Sequence, residues 1–260
     1  MNRRRLLFGL CALAGGLYTP MAQAAPNTVA VAAASDLKFA LDELLVGFRA
    51  AHPEITVTVS YGSSGNFSTQ LQQGAPFDLF LSADIAYPRA LEEKGLVLPG
   101  STVTYAVGRL VLWVPTRSGL DPSRGLELLS DAAVRHVAIA NPIHAPYGRA
   151  AEAALKSAGI YDPIQSKLVF GDNVTQAATF VQTGAADAGL IALSLAMAPT
   201  MAGSGRYWEL PASSYPRLEQ GGCVMKAAQD PTAARLLLDR LKGEGAAVLQ
   251  KYGFLLPGSP

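Results

Sequence analysis

The sequence predicts an α/β protein with mostly parallel sheets, and three observations carry that reading. From Ala25 onward, short β-branched or apolar runs alternate with amphipathic helical segments. Most of those segments stop at Gly or Pro, and no internal repeat or low-complexity stretch breaks the order. Half of the 260 residues are hydrophobic, enough for one large core or two medium ones.

Taken in order, Thr28 to Ala34 reads as the first strand. Leu37, Leu41, Leu44, Leu45 and Phe48 then share one helical face, and His52-Pro53 stops that helix. Ile55 to Tyr61 is the second strand, followed by a helix carrying Phe67 and Leu71 and closed by Gly74. Phe77 to Ser82 is a third strand, and a helix from Asp84 to Lys94 ends at Gly95. After Gly108 the pattern predicts strands Leu110 to Val114 and Val137 to Ala140, helix Arg149 to Ala158 and strand Lys167 to Phe170. Helix Thr175 to Thr183 and strand Ala188 to Leu193 follow, with closing helices Pro231 to Lys242 and Glu244 to Lys251.

The formal charge is +1, from 21 basic and 20 acidic residues. No basic stripe is available to neutralise a run of phosphates, so nucleic acid is not an expected partner. Arg3, Arg4 and Arg5 precede the apolar run Leu6 to Leu17, and Ala22-Gln23-Ala24 offers a small-x-small cleavage site. Residues 1 to 24 therefore read as an export signal, too short in its apolar part for the roughly 20 residues that span a bilayer. Sec and Tat routes both stay open, and no stable membrane insertion is expected. Cys11 would leave with that signal, and Cys223, inside an apolar run, reads as a buried structural thiol.

Three strand-to-helix junctions hold small hydroxyl or amide side chains: Ala34-Ser35-Asp36, Tyr61-Gly62-Ser63-Ser64-Gly65-Asn66 and Gly171-Asp172-Asn173-Val174-Thr175. Such turns usually only cap helices, with Ser35 or Asp36 the cap candidate at the first. They also present free N–H groups at the positive end of a helix dipole, which suits anions. In open α/β sheets such turns meet at the carboxyl ends of the strands.

Several segments resemble the periplasmic molybdate-binding proteins, in order through nearly the whole chain after residue 24. They are Val29 to Ser35, Tyr61-Gly62-Ser63-Ser64-Gly65, Gly74-Ala75-Pro76-Phe77-Asp78-Leu79-Phe80-Leu81-Ser82-Ala83-Asp84, Asn141-Pro142 with Ala145-Pro146-Tyr147-Gly148, and Lys251-Tyr252-Gly253-Phe254. The resemblance implies a type II periplasmic binding fold: two α/β lobes on a two-stranded hinge, closing on a dehydrated oxyanion. It implies lobe I over 25–107 and 216–260 and lobe II over 108–215. Carried over by position, Ser35 and Ser64 supply hydroxyl and amide donors, and Tyr147 and Val174 supply backbone N–H groups. No protein atom would ligate the molybdenum itself. Molybdate or tungstate would be cargo rather than cofactor, an ABC importer's membrane subunits the partner, the periplasm the location, and a monomer the expected state.

Two positions depart from the family pattern. Ala192 stands where some members place a tyrosine that contacts the anion. Asp36 follows Ser35 where relatives carry an uncharged residue, and a carboxylate about 4 Å from a dianion costs several kcal/mol. Its side chain is therefore expected either to turn aside or to hold a proton, and the first reading is preferred: the carboxylate caps the helix while its N–H faces the anion.

Binding of sulfate, phosphonate, ferric iron or an organic anion is the nearer alternative reading. Iron capture wants phenolates beside carboxylates, and Tyr61, Tyr105, Tyr147, Tyr161 and Tyr215 show no such pairing in the sequence. A secreted hydrolase is the remoter one. Gly62-Ser63-Ser64-Gly65 lacks the Gly-x-Ser-x-Gly spacing, and His52, His136 and His144 fall in no nucleophile motif, so no catalysis is expected.

Overall fold

The computed structural model describes residues 27–259, so the export signal read over 1–24 and Cys11 lie outside the described residues. The first part of the chain runs β1 (Asn27–Ala34), α1 (Lys38–Ala51), β2 (Ile55–Gly62), α2 (Ser64–Gln72), β3 (Leu79–Ser82), α3 (Ala86–Glu93) and β4 (Val103–Gly108). It continues through β5 (Leu110–Pro115), β6 (Val137–Ala140), α4 (Pro146–Ser157), α5 (Tyr161–Ile164), β7 (Leu168–Gly171), α6 (Val174–Thr183), β8 (Ala188–Ala192), α7 (Leu193–Ala196) and β9 (Gly205–Glu209). Strand β10 (Leu218–Val224) and helices α8 (Pro231–Lys242) and α9 (Gly245–Lys251) complete it.

The strands form two five-stranded sheets, ordered β2-β1-β3-β10-β4 and β7-β6-β8-β5-β9. Alternation along the strands builds the first sheet's two faces. Val29, Val31 and Ala33 of β1, with Leu79 and Leu81 of β3, enter a core shared with Leu41 and Phe48 of α1 and Leu237 of α8. Ala32 and Phe80 point the other way, to Phe67 and Leu71 of α2 and Leu91 of α3. A sheet covered on both faces requires apolar residues at successive positions, which explains why β1 and β3 read as continuous apolar runs.

The expectation of mostly parallel sheets is corrected: both sheets are mixed. β1 pairs in parallel with β2 and β3, whereas β10 is antiparallel to β3 and β4. β6 is parallel to β7 and β8, whereas β5 is antiparallel to β8 and β9. The apolar run Gly221 to Met225 falls largely in β10, whereas the antiparallel strands β4 and β9 carry no helix-strand alternation that marks them in the sequence.

The chain passes from one sheet to the other at Arg109 and returns between Glu209 and Leu218. Arg109 ties the two crossings together, its Nε donating to the Gly253 carbonyl at 2.7 Å and its Nη1 to Glu209 Oε1 at 3.0 Å. The Tyr215 hydroxyl accepts from the Leu110 N–H at 3.1 Å. Cys223 lies fully buried in β10, and burial pushes its thiol up to about 12. Among the described residues, no helix is long and apolar enough to cross a membrane.

Candidate functional site

Strand ends of both sheets feed helix starts that face one another. Ser35 and Asp36 form the short 3-10 turn between β1 and α1, Ser64 is the first residue of α2, Tyr147 the second of α4 and Val174 the first of α6. All five line one cavity of about 10 Å³, together with Ala34, Gly62, Ser63, Ala83, Ala145 and Pro146. First-turn N–H groups have no acceptor within their own helix, so this wall is rich in donors and sits at positive dipole ends. Larger hollows of about 400 Å³ beside Trp208 and about 270 Å³ at the chain crossing are fed by no such convergence.

Local sequence explains each turn. Asn173 caps α6 by accepting from Gln176 N–H at 3.1 Å, and Val174, the first residue of the helix, lines the cavity. Pro146 opens α4, where its missing N–H is not needed and its fixed φ suits a helix. The helix thus begins three residues before the Arg149 start read from the sequence, and this places Tyr147 in its first turn.

The first and second sheets already touch across the cavity. Ser35 Oγ donates to Asn173 Oδ1 at 3.1 Å and accepts from Thr175 N at 3.3 Å. The His144 carbonyl accepts from Ser63 Oγ at 2.5 Å and from Gly65 N at 2.9 Å. A side chain at Gly65 would overlap both this carbonyl and the Tyr87 hydroxyl, so only glycine permits the approach. At the rim, Arg149 of α4 donates to Asp84 Oδ2 at 2.7 Å and to the Tyr87 hydroxyl at 2.9 Å. Ser64 Oγ turns inward and accepts from Ala83 N at 3.0 Å.

Asp36 departs from expectation. Ala34 holds the cap position of the 3-10 turn and Leu37 that of α1, so neither Ser35 nor Asp36 is a cap. The Asp36 side chain is 1 % exposed, and its Oδ2 accepts from Gln220 Nε2 of β10. Among the described residues its Oδ1 has no hydrogen-bond partner. Burial pushes the carboxyl up to about 6, against the opposing pull of Gln220, Tyr147 and the amides of Asp36 and Leu37. The cap reading failed because the carboxyl points toward the chain crossing, away from its own helix.

The Tyr105 hydroxyl lies 3.1 Å from both the Ser82 carbonyl and the Gln220 side-chain amide. The Tyr147 hydroxyl lies 3.5 Å from Gln220 Nε2, in a space that a Cβ on Gly108 would fill. Burial first, and the Asp36 charge second, hold both phenols well above their usual range, so they stay protonated. Ala192 is buried at the end of β8 and brings no hydroxyl.

Sequence reasoning missed Gln220, Tyr105, Thr175 and Arg149. Gln220 left one signal, an uncharged polar residue abutting the apolar run Gly221 to Met225, and the structure buries it fully. The others are ordinary until the two sheets are brought together. Within the Gly74 to Asp84 segment, Asp78 is structural, its Oδ2 accepting from Ala30 N at 2.7 Å and its Oδ1 from Gln229 N at 2.6 Å, whereas Ala83 lines the cavity. Among the described residues, no group of three or more His, Cys, Asp or Glu is placed to hold a metal ion.

Two mixed sheets joined by a double crossing around a donor-lined cavity define a periplasmic-type solute-binding protein. The chain belongs to the family of bacterial extracellular solute-binding proteins, whose model matches residues 29–255. It is 39% identical over 246 residues to the molybdate-binding protein ModA of Azotobacter vinelandii, covering 94% of this chain and 95% of that one. Identity to ModA of Rhodobacter capsulatus is 40% over 201 residues, 77% of each chain. The solved periplasmic molybdate-binding protein of A. vinelandii superposes with a TM-score of 0.82 at 33% identity, covering 88% of this chain and 99% of that one. These relatives are substrate-binding proteins and not enzymes.

Proposed function

We propose that the chain captures molybdate, with tungstate as its near twin, in the periplasm and delivers it to the membrane subunits of an ABC importer. Ser35, Asp36, Ser64, Tyr147 and Val174 form the seat, within lobe I over 25–107 and 216–260 and lobe II over 108–215. Residues 1 to 24 act as the export signal, and the protein works as a monomer. The observation that carries the reading is the meeting of these five residues, from both sheets, on one donor-lined cavity. The relatives named as molybdate-binding proteins supply the anion's identity.

A fully deprotonated oxyanion offers acceptors alone, which matches hydroxyl and N–H donors. Hydrogen phosphate would leave its proton unpaired against such a wall, at a cost of about 1 to 3 kcal/mol. A cavity of about 10 Å³ has room for about one water, so a four-oxygen anion enters with the lobes apart and replaces the contacts of Ser35 with Asn173 and Thr175. Closure around the anion then marks the loaded form for the importer. Calorimetric titration with molybdate, tungstate, sulfate and phosphate tests the reading. Tight binding of the group 6 anions supports it, and preference for sulfate or phosphate overturns it.

A further inference from the structure

Asp36 sets a problem for an anion seat. Its side chain lines the cavity, one oxygen is held by Gln220 and the other is buried without a partner among the described residues.

No positive charge offsets the carboxylate. The titratable groups facing it are the phenols of Tyr105 on β4 and Tyr147 on α4, both neutral. From α7, Ser194 Oγ donates to the Asp36 carbonyl at 2.8 Å, and from α6 come only Asn173, Val174 and Thr175 near Ser35. The cations on adjoining elements are engaged elsewhere: Lys38 of α1 with Asp42, Arg109 with Glu209, and Arg149 with Asp84. A dianion entering here would meet a buried carboxylate with one unbonded oxygen, where like charges strongly favour protonating one of them.

We propose that Asp36 is a proton-bearing ligand: as the anion enters, one proton from solvent bonds to its free Oδ1, and the acid so formed donates to an anion oxygen. This rests on the oxyanion reading above and assigns the residue that tunes it. With the proton in place the seat is donors throughout and fits anions that bring no proton. With Asp36 ionised, the same position is an acceptor and suits a protonated anion such as hydrogen phosphate. Burial already pushes the carboxyl up to about 6 before any anion is near, so part of the needed shift is built into the fold and the anion's charge supplies the rest. Above that pH, each anion bound takes up one proton, and affinity falls about tenfold per pH unit.

The test is calorimetric titration of the purified protein with micromolar sodium molybdate between pH 6.5 and 8.5, in buffers of differing ionisation enthalpy. The expected result is uptake of close to one proton per anion and a tenfold loss of affinity per pH unit. Asp36→Asn should abolish proton uptake and flatten the pH profile, and its phosphate binding should stay negligible. Molybdate binding to the unaltered protein with no proton uptake and a flat profile overturns the proposal while leaving the oxyanion function intact. Failure to bind any group 6 anion across the range overturns both, and the proton count on the unaltered protein decides the matter even if the variant misfolds.

Discussion

Gln220 Nε2 donates to Asp36 Oδ2, linking the returning strand β10 to the turn that opens α1. The two residues are separated by 184 positions, and their bond sits where the chain crosses between the sheets. Gln220→Leu should strip Asp36 of its side-chain hydrogen bond from β10, destabilising the fold by about 1 to 3 kcal/mol in urea unfolding. Gln220→Glu should destabilise more at pH 8 than at pH 5, since it sets two carboxyls side by side.

Stability without ligand should depend on pH through Asp36. The fold raises its pKa from 3.8 to about 6, so the folded state favours the neutral acid. Its contribution is complete below 3.8 and is lost as pH rises through about 6, a difference of about 3 kcal/mol at most. Asp36→Asn should leave stability near pH 4 little changed and raise it at pH 8, as read from denaturant midpoints at both values.

Ser35→Ala and Ser64→Ala should each weaken molybdate binding by about 1.5 to 3 kcal/mol in calorimetry, the range for a bond to a charged group. They should differ in stability. Ser64→Ala also strips the buried Ala83 N–H of its acceptor, whereas Ser35 bonds to polar partners that lie at the cavity. Thermal unfolding should therefore show the larger drop for Ser64→Ala.

Gly65→Ala should weaken anion binding. Its Cβ would meet the Tyr87 hydroxyl of its own half and, across the cavity, the His144 carbonyl. Affinity for molybdate should fall about tenfold or more in calorimetry.

Arg149→Ala should speed anion release about two- to fivefold in stopped-flow measurements. The pair with Asp84 is partly exposed, and exposed pairs are worth about 1 kcal/mol or less. A double-mutant cycle with Asp84→Ala should recover most of the effect as coupling between the two.

The amphipathic face of α1 and the runs of β1 and β3 were legible because their side chains serve a core that any packing of those elements would bury. The serine turns were legible as helix starts for the same local reason. Asp36 was misread for a local reason too: near a helix start the nearest use of a carboxylate is a cap, and its actual partner arrives from β10.

By itself, then, the sequence determined the strands and helices whose apolar faces build the core and which turns carry donors, since hydrophobic periodicity and capping act over a few residues. The tertiary structure decided the antiparallel pairing of β4, β5, β9 and β10, the contact of Arg149 with Asp84, and the burial of Asp36 against Gln220. Those depend on how two sheets are joined by a double crossing, and distances across a closed cleft have no counterpart in neighbouring positions along the chain.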